Sequence, residues 1–319
     1  MLIRTSGKDF NFGMRYSDVT PKELYLNRRK FLGAGAAALG SLALPGQANA
    51  AALSGYAKPA AYQTEKASPK ETVTTYNNYY EFGTGKDEPA VNAPKWKPNA
   101  TWPVRLEGEV KAAKTLNLAD IMKLGLEERI YRHRCVERWS IVVPWIGIPL
   151  AKVLKQVEPT GNAKFVAFET YYNAGEMLSE RAAGIALPYV EGLRIDEAMH
   201  PLTMLAVGMY GETLPNQNGA PIRLVVPWKY GYKSIKSIVR IRFVDKQPPT
   251  TWGLYSSREY GFYSNVNPDR AHPRWSQKQE QRLGSGFLGQ GTRMDTQLFN
   301  GYKEVASLYS GMDLISKDY

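Results

Sequence analysis

The sequence predicts an α+β fold in which mixed sheets or barrel-like strands outnumber short helices. The strand-like segments are separated by long loops, and few windows show helical periodicity. The glycines occur singly or in apolar contexts, so the loops of a dinucleotide or phosphate-loop fold are absent. With 319 residues, 43% of them hydrophobic and 12% aromatic, the chain is too apolar to be disordered and can bury a sizeable core.

The first predicted element is a strand over residues 102–110, where apolar and polar side chains alternate as in a half-buried strand. A short helix over residues 118–124 follows it. Further strands are predicted over residues 128–135, 164–170, 202–207, 222–226 and 235–243. Short helices are expected near residues 150–157 and 194–199. Strands therefore dominate the middle of the chain.

The ends of the chain differ in composition from this middle part. Residues 51–75 are rich in Ala, Lys, Thr, Ser and Pro and predict a surface linker. The tail from Gln247 is rich in Pro and aromatic residues and predicts an irregular strap across the domain. We therefore expect one domain over residues 76–319.

The first fifty residues have the regions of an export peptide. Arg28-Arg29-Lys30-Phe31-Leu32 matches the twin-arginine signal, and Ala48-Asn49-Ala50 is a small-residue cleavage pattern. The apolar run, residues 31–44, is shorter than the roughly 20 residues that cross a bilayer, although an uncleaved anchor is an alternative. Residues 1–50 are predicted to be a cleaved signal peptide that directs the folded protein to the periplasm.

The charge balance does not indicate a nucleic-acid partner. The chain has 41 Lys and Arg against 30 Asp and Glu, a formal charge of +11. Residues 1–50 hold seven basic and three acidic residues, so 11 − 4 leaves about +7 on the mature chain. These basic residues are scattered among acidic ones and form no stripe. We therefore expect no nucleic-acid binding.

Cys135 is the sole cysteine, which excludes an internal disulfide and an all-cysteine metal cluster. Arg132, Arg134 and Arg138 surround it in sequence and are expected to lower its pKa. Three interpretations stay open from the residues alone. They are a metal thiolate, a packed structural thiol, and a nucleophile paired with one of the three histidines, His133, His200 or His272.

Four sequence blocks resemble one known family. They are Tyr76-Asn-Asn-Tyr-Tyr-Glu-Phe-Gly83, Arg134-Cys-Val-Glu-Arg-Trp-Ser-Ile-Val-Val-Pro-Trp-Ile-Gly147, Gln217-Asn-Gly-Ala-Pro-Ile-Arg-Leu-Val-Val-Pro-Trp-Lys-Tyr-Gly231 and Pro248-Pro-Thr-Thr-Trp252. Together they resemble the molybdopterin-binding catalytic subunits of periplasmic protein-methionine-sulfoxide reductases. The resemblance begins near residue 70, continues to the C-terminus, and implies a sulfite-oxidase-type molybdopterin-binding fold.

The resemblance implies that Cys135 is the protein ligand of molybdenum. Further residues would hold the pterin and its phosphate: Asn77, Tyr80, Glu81, Thr170, Asn218, Arg223, Ser234, Ile235 and Lys236. It also implies oxidised periplasmic proteins as substrates and a haem-containing membrane subunit as electron donor, since the chain has no Cys-x-x-Cys-His motif. Two alternatives are a sulfite-oxidase-like dehydrogenase of a small substrate and a non-enzymatic exported binding protein.

Overall fold

The computed structural model describes residues 50–286 and 291–315, which belong to one compact unit. The predicted signal peptide lies outside the described residues except for Ala50. The described strands are β1 (Pro103–Gly108), β2 (Lys114–Asn117), β3 (Glu127–Arg134), β4 (Trp139–Pro149), β5 (Phe165–Thr170), β6 (Val190–Arg194), β7 (Met204–Met209), β8 (Glu212–Thr213), β9 (Arg223–Val225), β10 (Ile238–Val244), β11 (Gln279–Arg282) and β12 (Thr292–Asp295).

Within the described residues the helices are short, and the α-helices have at most six residues. They are α1 (Lys70–Thr75), α2 (Glu88–Asn92), α3 (Leu118–Met122), α4 (Leu150–Leu154), α5 (Glu180–Ala183), α6 (Ile195–Met199) and α7 (Thr251–Tyr255). Single-turn or two-turn 3₁₀ helices cover Ala60–Tyr62, Ala93–Lys95, Lys155–Val157, Asn216–Asn218, Gly231–Lys233, Leu298–Gly301 and Lys303–Tyr309. No helix within the described ranges has the length and apolar character needed to span a membrane.

The first sheet has five strands in the order β2-β1-β10-β5-β6. β1 and β10 are parallel, and the other neighbours are antiparallel. In β1 the alternation is clear, because Val104 and Leu106 are buried while Arg105 is exposed. The predicted half-buried strand over residues 102–110 is therefore confirmed as β1.

The second sheet contains β12-β11-β4-β7-β8, with β3 paired to β4 and β9 paired to β7. β4 is its central strand and is buried along almost its whole length. Its register with β7 shifts between Ile146 and Gly147. A Cβ on Gly147 would lie 2.1 Å from the carbonyl oxygen of Leu205, so only glycine allows this close approach.

The α+β prediction is confirmed. The predicted strands correspond to β1, β3, β5, β7, β9 and β10, and the predicted helices to α3, α4 and α6. Lys236 falls within the predicted strand over residues 235–243, but in the structure it precedes β10. Arg223 lies on β9 but is buried, with 3% of its surface exposed. Neither cation is therefore an ordinary solvated strand residue.

The two ends of the described chain pack against this core. Residues 51–75 form β-bridges at Ala52 and Ala57 and bury Val73 of α1. The tail contributes α7, β11 and β12, which the sequence reasoning did not predict. β11 extends the second sheet by pairing with the start of β4, beside the turn that carries Cys135.

Candidate active site around Cys135

Cys135 lies directly after β3, in the tight turn that leads into β4. Its amide donates to the carbonyl of Trp139 at 2.9 Å, and Arg138 N–H donates to the carbonyl of Cys135 at 3.1 Å. Arg138 adopts a positive φ of 69° to close the turn. Cys135 is a free cysteine with 7% of its surface exposed. The hairpin therefore holds the sulfur in one place, just below the surface.

Arg134 fixes this turn to the C-terminal part of the chain. Its side chain is fully buried, and its Nε donates to Glu280 Oε2 at 2.8 Å. Its Nη2 donates to Gln277 Oε1 at 2.8 Å and to Thr296 Oγ1 at 3.3 Å. Its Nη1 donates to the carbonyl of Cys135. The tail thus sets the orientation of the cysteine backbone.

Two polar side chains, those of Asn78 and Glu137, reach the sulfur, and Lys86 pairs with Glu137. Asn78 Nδ2 lies 3.5 Å from Cys135 Sγ, and Glu137 N–H donates to Sγ at 3.5 Å. Glu137 Oε2 is 3.6 Å from Sγ and also accepts from Asn78 Nδ2 at 3.1 Å and from Trp139 Nε1 at 3.0 Å. Lys86 Nζ forms an ion pair with Glu137 at 2.8 Å. The cysteine therefore has an ordered polar surrounding.

The expectation that three arginines lower the pKa of Cys135 is wrong for this structure. Burial raises the pKa of the Cys135 thiol to about 12, and the negative charge of Glu137 raises it further, while Arg134 opposes these effects only weakly. Arg132 and Arg134 are paired with glutamates of other segments. Arg138 is exposed. Neighbours in sequence thus do not direct their charge at the sulfur.

The nucleophile interpretation finds no support in the geometry. In the described part of the chain, the hydrogen bonds of Cys135 Sγ are made with Asn78 and Glu137, and none with a histidine. His200 packs edge-on against Trp228, and His272 stacks on a tryptophan of the tail. His133 lies on β3 before the cysteine, with its ring edge-on to another core tryptophan.

A second group of predicted residues is joined by hydrogen bonds around Arg223. Arg223 Nη1 donates to the carbonyl of Asn218 at 3.0 Å and its Nη2 to the carbonyl of Ser234 at 3.0 Å. Asn218 Nδ2 donates to Asn77 Oδ1 at 3.1 Å. Ile235 is buried and its carbonyl accepts from the amide of Leu224 in β9. These contacts place segments 77, 218 and 234–235 around one guanidinium.

Lys236 connects this group to the cysteine. Its Nζ donates to the carbonyl of Asn78 at 2.8 Å, and Asn78 is the residue whose side chain reaches Sγ. The carbonyl of Lys236 accepts from Thr170 Oγ1 at 2.7 Å. Gly219 has a φ of +98°, and a Cβ there would lie 2.8 Å from Lys236 Cγ, so glycine makes room for the lysine stem.

The remaining predicted residues, Tyr80 and Glu81, interact electrostatically with Glu137 and with Lys236, respectively. Tyr80 is half-buried, and its ring centroid is 5.1 Å from that of Trp252. Burial raises the pKa of Tyr80, and the charges of Glu137 and Cys135 add to this effect. Glu81 is 3% exposed, and burial raises its pKa to about 7 although Lys236 opposes the shift.

The site has an excess of positive charge, carried by buried Arg223 and half-buried Lys236. Burial lowers the pKa of Arg223 to about 10. Burial and the repulsion of Arg223 together lower the pKa of Lys236 to about 7, and the same two cations, after burial, lower that of His133. Across the described residues, no carboxylate lies within ion-pair distance of Arg223 or Lys236. Such a pair of cations is suited to a phosphate group.

An unpartnered polar atom in the same group also indicates a ligand. Asn218 Oδ1 is buried and has no hydrogen-bond partner among the residues that the structure describes. Trp145 Nε1, in the ring over which the Arg223 guanidinium stacks at 4.8 Å, likewise has none. Buried polar atoms without partners are costly, so these atoms are suited to hydrogen bonds with a bound molecule. The donors and cations present therefore fit a pterin that carries a phosphate.

The structure brings all ten predicted site residues into one connected region. Sequence reasoning missed Asn78, Lys86 and Glu137, which surround the sulfur. Asn78 and Glu137 were inside the quoted blocks, but nothing in their spacing indicated that they meet. Lys86 lies in a loop, and its pairing with Glu137 spans 51 positions of the chain.

Comparisons with known proteins identify relatives over nearly the whole chain. The model of the oxidoreductase molybdopterin-binding domain matches residues 90–252. The protein-methionine-sulfoxide reductase catalytic subunit MsrP of Ralstonia nicotianae is 50% identical, over 98% of this chain and 99% of its own length. Subunits of the same name from Burkholderia mallei and Pseudomonas syringae pv. tomato are 51% and 52% identical. The match to the Burkholderia subunit covers 93% of each chain. The match to the Pseudomonas subunit covers 96% of this chain and 97% of that subunit.

One solved structure supports the fold. The sulfane dehydrogenase SoxCD of Paracoccus pantotrophus superimposes with a TM-score of 0.50 at 16% identity. The match covers 70% of this chain and 55% of that one. At this identity the similarity concerns the fold alone, and it agrees with a sulfite-oxidase-type arrangement of mixed sheets and short helices.

Proposed function

Because the chain belongs to the family of protein-methionine-sulfoxide reductase catalytic subunits, we propose that it binds molybdenum–molybdopterin and reduces methionine sulfoxide residues in proteins. The observation that carries the proposal is the linked set of residues around Cys135, Arg223 and Lys236. It combines one buried thiol with two cations that have no carboxylate of the described residues within ion-pair distance. This is the donor set that a metal bound to a phosphorylated organic ligand requires.

The residues divide into roles by their chemistry. Cys135 would ligate the metal through Sγ, while Arg223 and Lys236 would bind the phosphate. The polar residues at the same site would bind the pterin through directional hydrogen bonds. They are Asn77, Tyr80, Glu81, Thr170, Asn218 and Ser234, with Ile235 contributing its backbone. When bound, the cofactor supplies the oxygen-atom transfer and redox change that convert a sulfoxide into a thioether.

Glu137 and Lys86 give the thiol a proton acceptor. Burial alone would raise the pKa of Glu137, but the charge of Lys86 and the hydrogen bonds from Lys86, Trp139 and Asn78 lower it below its ordinary value. The carboxylate is therefore ionised with Oε2 3.6 Å from Cys135 Sγ. It is positioned to accept the proton that Cys135 loses on binding a metal.

Metal and pterin analysis tests the cofactor assignment. Protein made in a molybdenum-replete host should contain about one molybdenum and one pterin per chain, the stoichiometry that a single thiolate site implies. Cys135→Ala should abolish turnover, and Arg223→Met should lose pterin. An unaltered pterin content in Arg223→Met, with a folded protein by circular dichroism, would contradict the phosphate assignment.

Substrate comparison separates the proposal from its nearest rival. The wild-type enzyme should reduce a peptide that contains methionine sulfoxide when given a reduced dye as electron source. A sulfite-oxidase-like dehydrogenase would instead oxidise sulfite with an oxidised dye. Turnover of sulfite without turnover of the sulfoxide peptide would overturn the assigned direction.

We infer that the folded protein is exported to the periplasm. The support is the Arg28-Arg29-Lys30-Phe31-Leu32 signal, and twin-arginine export suits a protein that receives its cofactor before it crosses the membrane. Replacing Arg28 and Arg29 by lysine should keep the protein in the cytoplasmic fraction. Periplasmic recovery of that variant at the wild-type level would contradict this route.

The electron donor is proposed to be a haem-containing membrane subunit. The single cysteine excludes a Cys-x-x-Cys-His haem attachment site in this chain, so electrons must come from another molecule. Membranes that contain such a subunit should support sulfoxide reduction with a quinol as reductant, and membranes that lack it should not. Equal rates with both membranes would contradict the proposal.

A further inference from the structure

Four aromatic side chains form a continuous cluster next to the Cys135 turn. Trp252 is at its centre, with ring centroids 5.1 Å from Tyr80, 4.8 Å from Tyr260 and 5.4 Å from Tyr255. We call Tyr80, Trp252, Tyr255 and Tyr260 the aromatic cluster. Tyr260 belongs to the small hydrophobic cluster that contains Cys135, and Trp252 packs against it. The rings are therefore in contact with the surroundings of the buried sulfur.

The aromatic cluster extends from the buried sulfur to solvent. Tyr260 is 7% exposed, Trp252 and Tyr80 are half-buried, and Tyr255 is 40% exposed. Leu254, next to Tyr255 on α7, is 66% exposed. Five large apolar side chains are exposed in the part of the chain that the structure describes, and two of them are Leu254 and Tyr255. Packing of the tail alone would not require apolar groups at this outer edge.

The backbone of α7 is held in a fixed position under these rings. Thr250 caps the helix by accepting from Gly253 N–H at 3.2 Å. Thr251 is buried, and its Oγ1 accepts from the amide of Val190 in β6 at 2.9 Å. The Pro-Pro-Thr-Thr-Trp motif thus anchors the helix to the first sheet. A ring on a fixed helix can present one surface to a ligand at little entropic cost.

The side chain of methionine sulfoxide matches this surface in size and chemistry. It is unbranched, carries a methyl group on sulfur, and becomes a polarisable thioether on reduction. Sulfur and its methyl group make favourable contacts with aromatic rings. In a protein substrate, the polypeptide continues on both sides of the oxidised methionine. The exposed apolar side chains at the outer edge of the aromatic cluster can contact this polypeptide.

We propose that Trp252, supported by Tyr80 and Tyr260, contacts the methyl-sulfinyl group of the substrate, and that Tyr255 contacts the adjoining peptide. This inference rests on the proposed function and adds to it the side chains that select the substrate. Trp252 is then a specificity-determining residue, and its effect falls on substrate binding more than on the chemical step.

The test measures KM, kcat and binding of one oxidised peptide to the holoenzyme. Trp252→Ala should raise KM for a methionine-sulfoxide peptide by roughly tenfold with little change in kcat. Trp252→Phe should retain most of the wild-type KM, because a ring remains. Calorimetry without an electron donor should show the same weakening of peptide binding, since no net turnover occurs. Val91→Ala, at an exposed apolar position on α2 outside the aromatic cluster, should change none of these values.

The outcomes separate this inference from the proposed function. Wild-type enzyme that reduces no sulfoxide would overturn the function itself. Wild-type turnover, together with an unchanged KM and peptide affinity in Trp252→Ala, would overturn only the role of Trp252. If Trp252→Ala lost molybdenum or failed to fold, Tyr255→Ala would decide the question. At this exposed position we expect about a threefold rise in KM for the peptide, and an unchanged KM and affinity would overturn the proposal.

Discussion

Replacing Glu280 by glutamine should destabilise the protein strongly, because the change leaves the charge of Arg134 buried without a counter-ion. The side chain of Arg134 is fully buried, that of Glu280 is 3% exposed, and their atoms are 2.8 Å apart. Glu280 also accepts from Ser140 Oγ at 2.6 Å. Removing one partner of a buried ion pair costs about 3–5 kcal/mol. Gln277 and Thr296 still bind the guanidinium, so we expect a loss near the lower end, about 3 kcal/mol.

Thermal unfolding measures this loss. At about 2–4 °C per kcal/mol for a chain of this size, the melting temperature should fall by roughly 6–12 °C. Glu169→Gln is the matched control, since Glu169 pairs with Arg240 at 3.2 Å where the two side chains are 30% and 43% exposed. An exposed pair contributes at most about 1 kcal/mol, so this variant should melt within about 4 °C of the wild type.

A Glu280→Gln variant that melted no lower than this control would refute the reasoning, because the charge of Arg134 would then need no buried partner. The double replacement of Arg134 by Met and Glu280 by Leu offers a further check. It removes both charges, so it should recover much of the stability lost in the single variant.

Three further changes test the site and the sheet that carries it. Burial raises the pKa of Glu81 to about 7 in the folded chain, so the folded state binds more protons than the unfolded state between about pH 4.5 and pH 7. Glu81 alone therefore lowers the stability of the cofactor-free protein over this window by on the order of 3 kcal/mol. In urea titrations, the loss of unfolding free energy across this window should be smaller in Glu81→Gln than in the wild type by this amount, and equal slopes would contradict the shift. Gly147→Ala should lower the free energy of unfolding by about 1–3 kcal/mol, because its Cβ would meet the Leu205 carbonyl at 2.1 Å. The urea midpoint should fall accordingly, and a wild-type midpoint would count against the close approach. Gly219→Ala should displace Lys236 and reduce the amount of pterin retained on purification, which fluorescence of the oxidised pterin measures. Full retention of pterin would argue against a role for Lys236 in binding the cofactor.

Strands with one face in water gave the clearest signal in the sequence, although the fully buried β7 and β9 were also predicted. β1 and β10 alternate buried and outward side chains, which is the period-two signal of a half-buried strand. β4 gave no such signal because both of its faces are buried and its sequence contains Pro144 and Gly147. The sequence reasoning therefore omitted the central strand of the second sheet, which pairs with β3 locally and with β7 and β11 from distant segments.

The site residues followed from the resemblance, whereas their electrostatic setting required the structure. Asn78, Lys86 and Glu137 are ordinary polar residues in sequence, and only the fold brings them together at Cys135. The pKa of Cys135 shows the same limit. Neighbouring arginines suggested a lowered value, but burial and Glu137 raise it. Side-chain direction decides which charges a group experiences, and composition does not record direction.

Buried Arg223 and half-buried Lys236 give the cofactor a part in folding as well as in chemistry. Arg223 is 3% exposed, and its hydrogen-bond partners are carbonyl oxygens. No carboxylate among the described residues lies within ion-pair distance of it. Burying such a charge costs free energy, and Lys236 nearby increases the cost by repulsion. A phosphate bound between them removes this cost only in the folded state, so binding stabilises the fold by mass action. Charges that are unfavourable in the cofactor-free chain therefore become favourable in the loaded one, which couples acquisition of the cofactor to completion of the fold.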